Sequence, residues 1–471
     1  MFPMSGHRVA AGLGAAVVQV GRPCDFVAVG VDSRRLDQGA LFVAIQGRVP
    51  GERYFKDALA VGALGLAGRR FSPAQRRAAR RAGAWLFKVS EGLAALQALA
   101  ADQRRLIQVP VVAVTGSNGK TGVKDLLAYL LEGEGPGLAT QGNLNNHLGV
   151  PLTLLRARPG LDWVVAEAGM NHAGELAALG RLLRPTVVVE LNVGDAHTGN
   201  FEGGRRGVAA AKEELLKAMG PAGLAVLNAD DPLVRDMGRR HRGAVATFGL
   251  AQGADLRLAS LRDRGARGFR ATALWRAPQG GRPLRLPLRM ASGGRAGWTA
   301  AAAALAVALS LGAEPRRLRR RLASYASAAR LRQEIRPLPF GATAVLDAYN
   351  ANPQSMQAGL EYLALSAGQG PRLAVLGCML ELGAQAPAYH RALGRQARAA
   401  GLRALAVLGE QAMEVVRGFG PGRGEAAAFG RDQAAEAAAW IKPRLVPGAW
   451  CLFKGSRGLA VERVHAALTG D

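Results

Sequence analysis

The chain has 471 residues, more than one hydrophobic core accommodates, so two or three globular domains are expected. Its formal charge of +26, from 61 basic against 35 acidic residues, raises nucleic acid as a partner; yet the arginines scatter, no aromatic residues alternate with them, and the clusters at residues 76–81 and 316–321 read as solvated helix faces, so no nucleic-acid partner is expected. Cys24, Cys378 and Cys451 are too few and too far apart for a disulfide framework or a metal spacing, which points to a reducing cytoplasm.

Residues 9–20 are apolar after His7 and Arg8, but glycines interrupt them and no small-residue cleavage site follows, so a short helix running into a strand is expected. Apolar strands at 26–31, 40–45 and 84–89 alternate with helical stretches such as 55–61, which makes residues 1–108 a small N-terminal α/β domain. At Val109 the strand VPVVAVT runs into a glycine turn and a helical run over 120–131, the grammar of a phosphate-binding βα unit. Buried strands at 163–167, 186–193 and 224–227, separated by helices, call for a mostly parallel sheet. Alternating apolar and basic residues over 255–290 predict a β-meander. The alanine-rich run 299–312 is too short to span a bilayer and is flanked by Arg295 and Glu314, so a packed helix and no membrane insertion are expected. A central P-loop mononucleotide-binding domain thus covers 109–326. From Ala342 the strands TAVLD, RLAVLG, ALAVLG and WCLFKG alternate with helices, giving residues 327–471 as a third domain, Rossmann-like without the dinucleotide glycine fingerprint. The fold class is α/β.

The segment TGSNGKT, Thr115 through Thr121, is where chemistry first shows. Gly116 and Gly119 stand where the backbone must come close to phosphates, Lys120 where an ammonium reaches β and γ oxygens, and Thr121 where a hydroxyl can ligate magnesium. Ser117 and Asn118 complete this nucleotide-binding turn. The position six before Lys120 is Val114, so the spacing is a short G-x-x-G-K-T form rather than the standard one. A strand before it and a helix after it favour phosphate binding over a chance glycine turn. Glu167, in AEAGMNHAGEL, ends a predicted buried strand, where a carboxylate is costly unless it meets a metal or a base; a buried structural glutamate is the alternative. Taken alone, Lys212 in VAAAKEELL is a solvated helix charge, and Asn143, Asn145 and Asn146 in GNLNNHLGVPLTLL mark turns.

Together these segments resemble the Mur ligases, and the likeness runs through all three domains. On that resemblance, Asn143, Asn145 and Asn146 face the substrate, Glu167 and His197 of NVGDAHTGNFEG bind magnesium, and Lys212 is the lysine these enzymes carbamylate into a further magnesium ligand. LDAYNANPQSM resembles the YNANP signature of the D-alanyl-D-alanine-adding branch, which implies Asp347 near the ribose, Asn350 near the nucleotide, and Tyr349 and Asn352 near the cleft. Arg330 matches an arginine that reaches the γ-phosphate. LFKGSRG resembles the family's KGSR, with Lys454 and Ser456 holding an incoming dipeptide, and VDSRRLDQGALFVAIQG resembles the segment that holds the uridine end of the other substrate through Ser33 and Arg34.

The resemblance implies an ATP-dependent amide-bond ligase with two magnesium ions, acting as a monomer on UDP-N-acetylmuramoyl-tripeptide and D-alanyl-D-alanine through an acyl phosphate. Tripeptide-forming relatives and folylpolyglutamate synthetases share the P-loop but not YNANP and KGSR, and the DNPR motif of the former is absent here; a catalytically impaired Mur-like scaffold is the other alternative. The sequence departs from the family at Gly51, Glu52 and Arg53, where a D-G-H triplet is usual, at Cys378 in place of an aspartate, and at Ala328 and Ala329 in place of Pro-Gly. It also has Ala296, Gly297 and Ala300 where the family reads adenine with a histidine and two asparagines, so the base is expected to rest on backbone contacts and apolar packing, with Trp298 stacking on it.

Overall fold

A computed structural model describes residues 1–470 apart from 196, 197, 281, 328, 329 and 423. His197, Ala328 and Ala329 therefore lie outside the described residues. Among those described, the strands gather into three sheets, of five, nine and six strands in chain order.

The first sheet runs Ala16–Gln19, Trp85–Lys88, Gly65–Gly68, Leu41–Val43 and Val29–Gly30 in space, with only the first pair antiparallel. Its inner strands are largely buried; Leu41–Val43 and Trp85–Lys88 fall within the predicted apolar runs, whereas Gly65–Gly68, with the sequence GLAG, was not predicted. Helices Phe55–Ala60 and Pro73–Ala82 cover one face, and helices Gly6–Leu13 and Gly92–Leu106 the other. Arg76, Arg77, Arg80 and Arg81 lie exposed on the outer side of their helix.

Helix Gly92–Leu106 also packs against helices Gly149–Leu154 and Glu175–Leu183 of the second sheet, so one buried cluster runs across both layers. Arg104 closes this junction. Its buried guanidinium donates to the carbonyls of Leu183, Ile107 (2.8 Å) and Arg184 (2.7 Å), which the end of helix Glu175–Leu183 and the end of its own helix would otherwise leave unpaired.

The second sheet has the order Leu284–Met290, Phe269–Trp275, Leu256–Asp263, Ala244–Gly249, Leu224–Asn228, Val187–Glu190, Val111–Thr115, Trp163–Glu167, Gly137–Ala139. The first three strands form the antiparallel meander, and every later pair is parallel. The predicted alanine-rich helix begins earlier than its alanines, at Gly294, and ends at Ser310. Ala300 to Ala304, Ala306 and Ala308 are all buried, and their small side chains let the helix lie close against helix Lys120–Leu131. In the third sheet the order is Glu334–Leu338, Ala342–Asp347, Trp450–Lys454, Arg372–Gly377, Ala404–Leu408, Glu425–Phe429, parallel except for the first pair. The two edge strands were not predicted: EIRPL carries an arginine and a proline, EAAAF reads as helical, and half-exposed edges show no apolar run.

Arg104→Ala is expected to lower stability by about 3 kcal/mol, since it strands buried carbonyls, and Arg104→Lys should restore little because an ammonium cannot reproduce the fork. The midpoint of the first urea transition measures both.

Candidate active site

Parallel strands bring their carboxyl ends to one edge, and the register puts Val114 beside Glu167 and Thr115 beside Glu190. The crevice outside such ends is where α/β sheets take ligands. From Thr115 the chain turns at Gly116, whose φ of 153° and approach to Leu191 leave no room for a Cβ, and enters the helix at Gly119 in the left-handed region, φ 87°. Lys120 folds back over the turn and donates from Nζ to the Gly116 carbonyl at 2.7 Å. Asn192, just past strand Val187–Glu190, clamps the loop: its Oδ1 accepts from the Asn118 N–H (2.8 Å) and its Nδ2 donates to the Asn118 carbonyl (3.0 Å). The Ser117 hydroxyl accepts from the Gly194 N–H at 2.8 Å.

Glu167 ends its strand as expected and is fully buried, with Thr121 donating to one oxygen (2.8 Å) and Asn145 to the other (2.6 Å). Asn146 spends its side chain on the turn, accepting the N–H groups of Leu148 and Gly149. Asn143 lines the cleft.

Beneath the loop lies a second acid that the sequence analysis passed over. Glu190 is completely buried and, among the described residues, neither of its oxygens has a hydrogen-bond partner; nor has the hydroxyl of neighbouring Thr115. Burial pushes the Glu190 carboxyl well above the usual carboxylate range, against the pull of Lys212 and Lys120. Lys212, 3% exposed on helix Arg205–Lys217, is pushed below the ordinary lysine range by the same burial, while Glu190 holds it up. Desolvation also depresses Lys120, opposed by Glu167 and Glu190 and reinforced by Arg332. A signal for Glu190 was present: VVVE ends in a carboxylate just as WVVAE does.

This donor set fits magnesium. Among the described residues no cluster of three or more His, Cys, Asp or Glu forms a metal cage. Magnesium, however, typically takes one or two carboxylates and leaves the remaining positions to phosphate and water, and the Thr121–Glu167 pair beside orphaned Glu190 oxygens has that character. Lys212, desolvated and held below the ordinary lysine range, has a larger neutral fraction than a free lysine, which suits carbamylation chemically.

The third sheet supplies the opposite wall. Lys454 is buried and donates to Asp347 Oδ2 (2.6 Å) and to the Asn350 carbonyl (3.2 Å). Arg332 stacks its guanidinium 3.9 Å from the Tyr349 ring centre, whereas Arg330 lies exposed at the rim. A single cavity of about 1580 Å³ joins the P-loop, Glu167, Asp347, Tyr349, Asn350 and Lys454. It extends along the start of helix Gly294–Ser310, where Ala296, Gly297 and Ala300 offer no hydrogen-bonding side chain and Trp298 also faces the space.

Some expected contacts do not line this cavity. Ser456 lies behind its wall, accepting the Leu380 N–H at 3.1 Å, and Asn352 caps helix Pro353–Ala367. Lys212 sits below the loop. Ser33 is buried, and Arg34 is held by Asp32 at 2.8 Å, which brings that carboxyl down to about 2; both lie in the first layer, away from the cavity.

Family models match residues 114–287 as the Mur ligase middle domain and 331–457 as the Mur ligase, glutamate ligase domain. A Mycobacterium bovis protein named UDP-N-acetylmuramoyl-tripeptide--D-alanyl-D-alanine ligase is 35% identical across 93% of this chain and 91% of its own length. The chain belongs to the Mur ligase family. Among solved structures, MurF from Acinetobacter baumannii superposes with a TM-score of 0.87 at 28% identity, covering 100% of this chain and 99% of that one. MurF ligase from Thermotoga maritima, solved in complex with ADP, gives 0.78 at 28% identity over 94% and 97%.

In this Mur ligase the loop after strand Arg372–Gly377 carries Cys378, buried and with its thiol pushed up to about 11. The loop is pinned by His390, whose Nε2 accepts the Met379 N–H (3.0 Å) and whose Nδ1–H donates to the Ala386 carbonyl (2.6 Å). The two backbone partners fix the neutral tautomer. Burial holds this imidazole below its ordinary value of 6.5, so below that pH the unfolded chain binds the proton that the folded one refuses, and stability is lost as pH falls. Between pH 7 and 5.5 the wild type should lose up to about 1.4 kcal/mol per pH unit from this group, and His390→Gln should show a shallower fall in Tm by calorimetry.

Proposed function

We propose that this chain is the ATP-dependent ligase that joins D-alanyl-D-alanine to UDP-N-acetylmuramoyl-tripeptide. A single cleft carries this assignment: it holds a phosphate loop with its lysine and acid on one wall and the YNANP segment, tied to Lys454, on the other. The names of the relatives and the ADP bound to the Thermotoga structure support it. Residues 1–108 would bind the UDP substrate through Ser33 and Arg34, residues 109–326 ATP, and residues 327–471 the dipeptide. No described helix is long and apolar enough to cross a membrane, and we place the reaction in the cytoplasm.

In the first step a carboxylate oxygen of the tripeptide attacks the γ-phosphorus, and the bond to the bridging oxygen breaks to release ADP. In the second the dipeptide nitrogen attacks the acyl carbon, phosphate leaves, and the nitrogen gives up a proton. The backbone N–H groups of Gly119 to Thr121 at the helix start would cradle the phosphates, those of Ser117 and Asn118 being donated to Asn192, and Lys120 would neutralise the developing charge. Of the two candidate arginines, Arg332 is the better placed to meet the γ-phosphate, since it lies in the field of Lys120 and is steadied by Tyr349; Arg330 would act at the rim. Magnesium, when bound by Thr121, Glu167, His197 and carbamylated Lys212, would supply further charge neutralisation.

Incubating the chain with UDP-muramoyl-tripeptide, D-alanyl-D-alanine and Mg-ATP should give the pentapeptide mass. Preferential use of a single amino acid would move it to another branch, and no product with any acceptor would make it a scaffold. Lys120→Ala should abolish turnover with the fold intact, and Lys212→Ala should be inactive but partly rescued by short carboxylic acids; wild-type turnover by Lys212→Arg rules out the carbamate. The wall formed by Ala296, Gly297 and Ala300 should leave ATP and GTP within about tenfold in kcat/KM, since each absent neutral hydrogen bond is worth roughly 0.5–1.5 kcal/mol.

A further inference from the structure

The phosphate loop is held from outside its own sheet. Asn352, 3% exposed, caps the helix Pro353–Ala367 by accepting the Ser355 N–H on Oδ1 at 2.9 Å. A backbone N–H can only donate, so this bond fixes which end of the Asn352 amide is oxygen. Its Nδ2 therefore points at Asn118 of the P-loop, donating to Oδ1 at 2.7 Å, and Asn118 Nδ2 donates back to Asn352 Oδ1 at 3.2 Å. The orientation of a P-loop side chain is thus dictated by a helix cap of the third sheet.

A second path leaves the same helical turn. Gln354 accepts the Asp195 N–H on Oε1 at 3.0 Å and donates from Nε2 to the Asp195 carboxylate. The preceding N–H, that of Gly194, donates to the Ser117 hydroxyl, and Arg205 braces the segment by donating to the Val193 carbonyl at 2.7 Å. Ser117 and Asn118, adjacent in the P-loop, are therefore each tied to the first turn of helix Pro353–Ala367, one directly and one through residues 194 and 195. Burying two amides against each other costs little only when all their groups pair, and in this turn they do.

We infer that Asn352 and Gln354 are positioning residues which latch the third-sheet unit onto the phosphate loop, so that nucleotide binding and seating of that unit are one coupled event. Asn352 acts through Asn118 rather than by touching a substrate. This rests on the proposed nucleotide role of the loop. If the loop takes its phosphate-binding shape only when the latch is made, breaking the latch weakens nucleotide binding, and by reciprocity nucleotide binding tightens the latch.

Asn352→Ser separates latch from fold, because serine caps a helix as well as asparagine but is too short to reach Asn118. The full chain carrying Asn352→Ser or Gln354→Ala is compared with wild type by calorimetric titration with Mg-ADP, by small-angle scattering without nucleotide, and by thermal unfolding. The expected result for Asn352→Ser is an unchanged Tm, about tenfold weaker Mg-ADP binding, and a larger radius of gyration without nucleotide. In the cycle with Asn118→Ala, the double variant should bind ADP no worse than the weaker single variant, since the two side chains act as one unit. Unchanged affinity and unchanged dimensions in Asn352→Ser, or additive losses in the cycle, would overturn the latch. Absence of ADP binding by the wild type itself would instead remove the nucleotide role, with the scattering comparison still deciding whether the two units are latched.

Discussion

Three parallel strands, Val111–Thr115, Trp163–Glu167 and Val187–Glu190, end side by side, and their register sets a buried row of polar ends, with Thr115 and Glu190 on one face of the sheet and Glu167 on the other. Such a row is costly in isolation, because burial disfavours a charged carboxylate, and for Glu190 the nearby Asp231 adds to that cost. The surrounding chain supplies the counter-charges: Lys120 above the row, Lys212 below it, and the donors of Thr121 and Asn145 on Glu167. Even so, the account does not close within the protein. Glu190 keeps two unpaired oxygens while Lys120 and Lys212 are both held below their ordinary range by burial, a poise suited to a site that takes up charged phosphate and cations.

The rest of the architecture keeps that row dry and its partners close. The alanine-rich helix approaches Lys120–Leu131 because most of its buried positions are alanines, which anchors the phosphate-loop helix from behind. On the opposite face Arg104 ties the first layer to the second by pairing carbonyls at a helix end, so the two layers share one core. The third sheet meets the second through hydrogen bonds at the P-loop and through helix Pro353–Ala367, which packs on residues 265–267 and on helix Gly294–Ser310.

Several side chains that look like ligand contacts carry structural work instead. Asn146 caps a turn, Ser456 holds the loop after Cys378, and Asn352 joins a helix cap to the P-loop. Each is polar, sits in a segment resembling a family motif and makes a hydrogen bond within the protein; Asn146 still borders the cavity, whereas Ser456 and Asn352 do not. Motif likeness singled out the segments; it could not tell which of their polar groups face the cavity.

Local pattern alone determined the three-part α/β organisation, because buried parallel strands write themselves as apolar runs and helices of this kind as periodic ones, and because a glycine turn between a strand and a helix has few other uses. It also marked Lys120, Thr121 and Glu167, while the YNANP and KGSR segments stood out only by their resemblance to family motifs. The edge strands Glu334–Leu338 and Glu425–Phe429 escaped, since half-solvated strands need no apolar run. Glu190 and Arg332 escaped for a different reason. Glu190 ends an apolar strand as Glu167 does, a local signal that was passed over, while nothing adjacent in sequence sets Arg332 apart; strand register brings Glu190 under the phosphate loop, and a ring stacked across a turn accompanies Arg332 in the field of Lys120. Residues distant in the chain share a site only through the packing of sheets, and that packing is decided by tertiary structure.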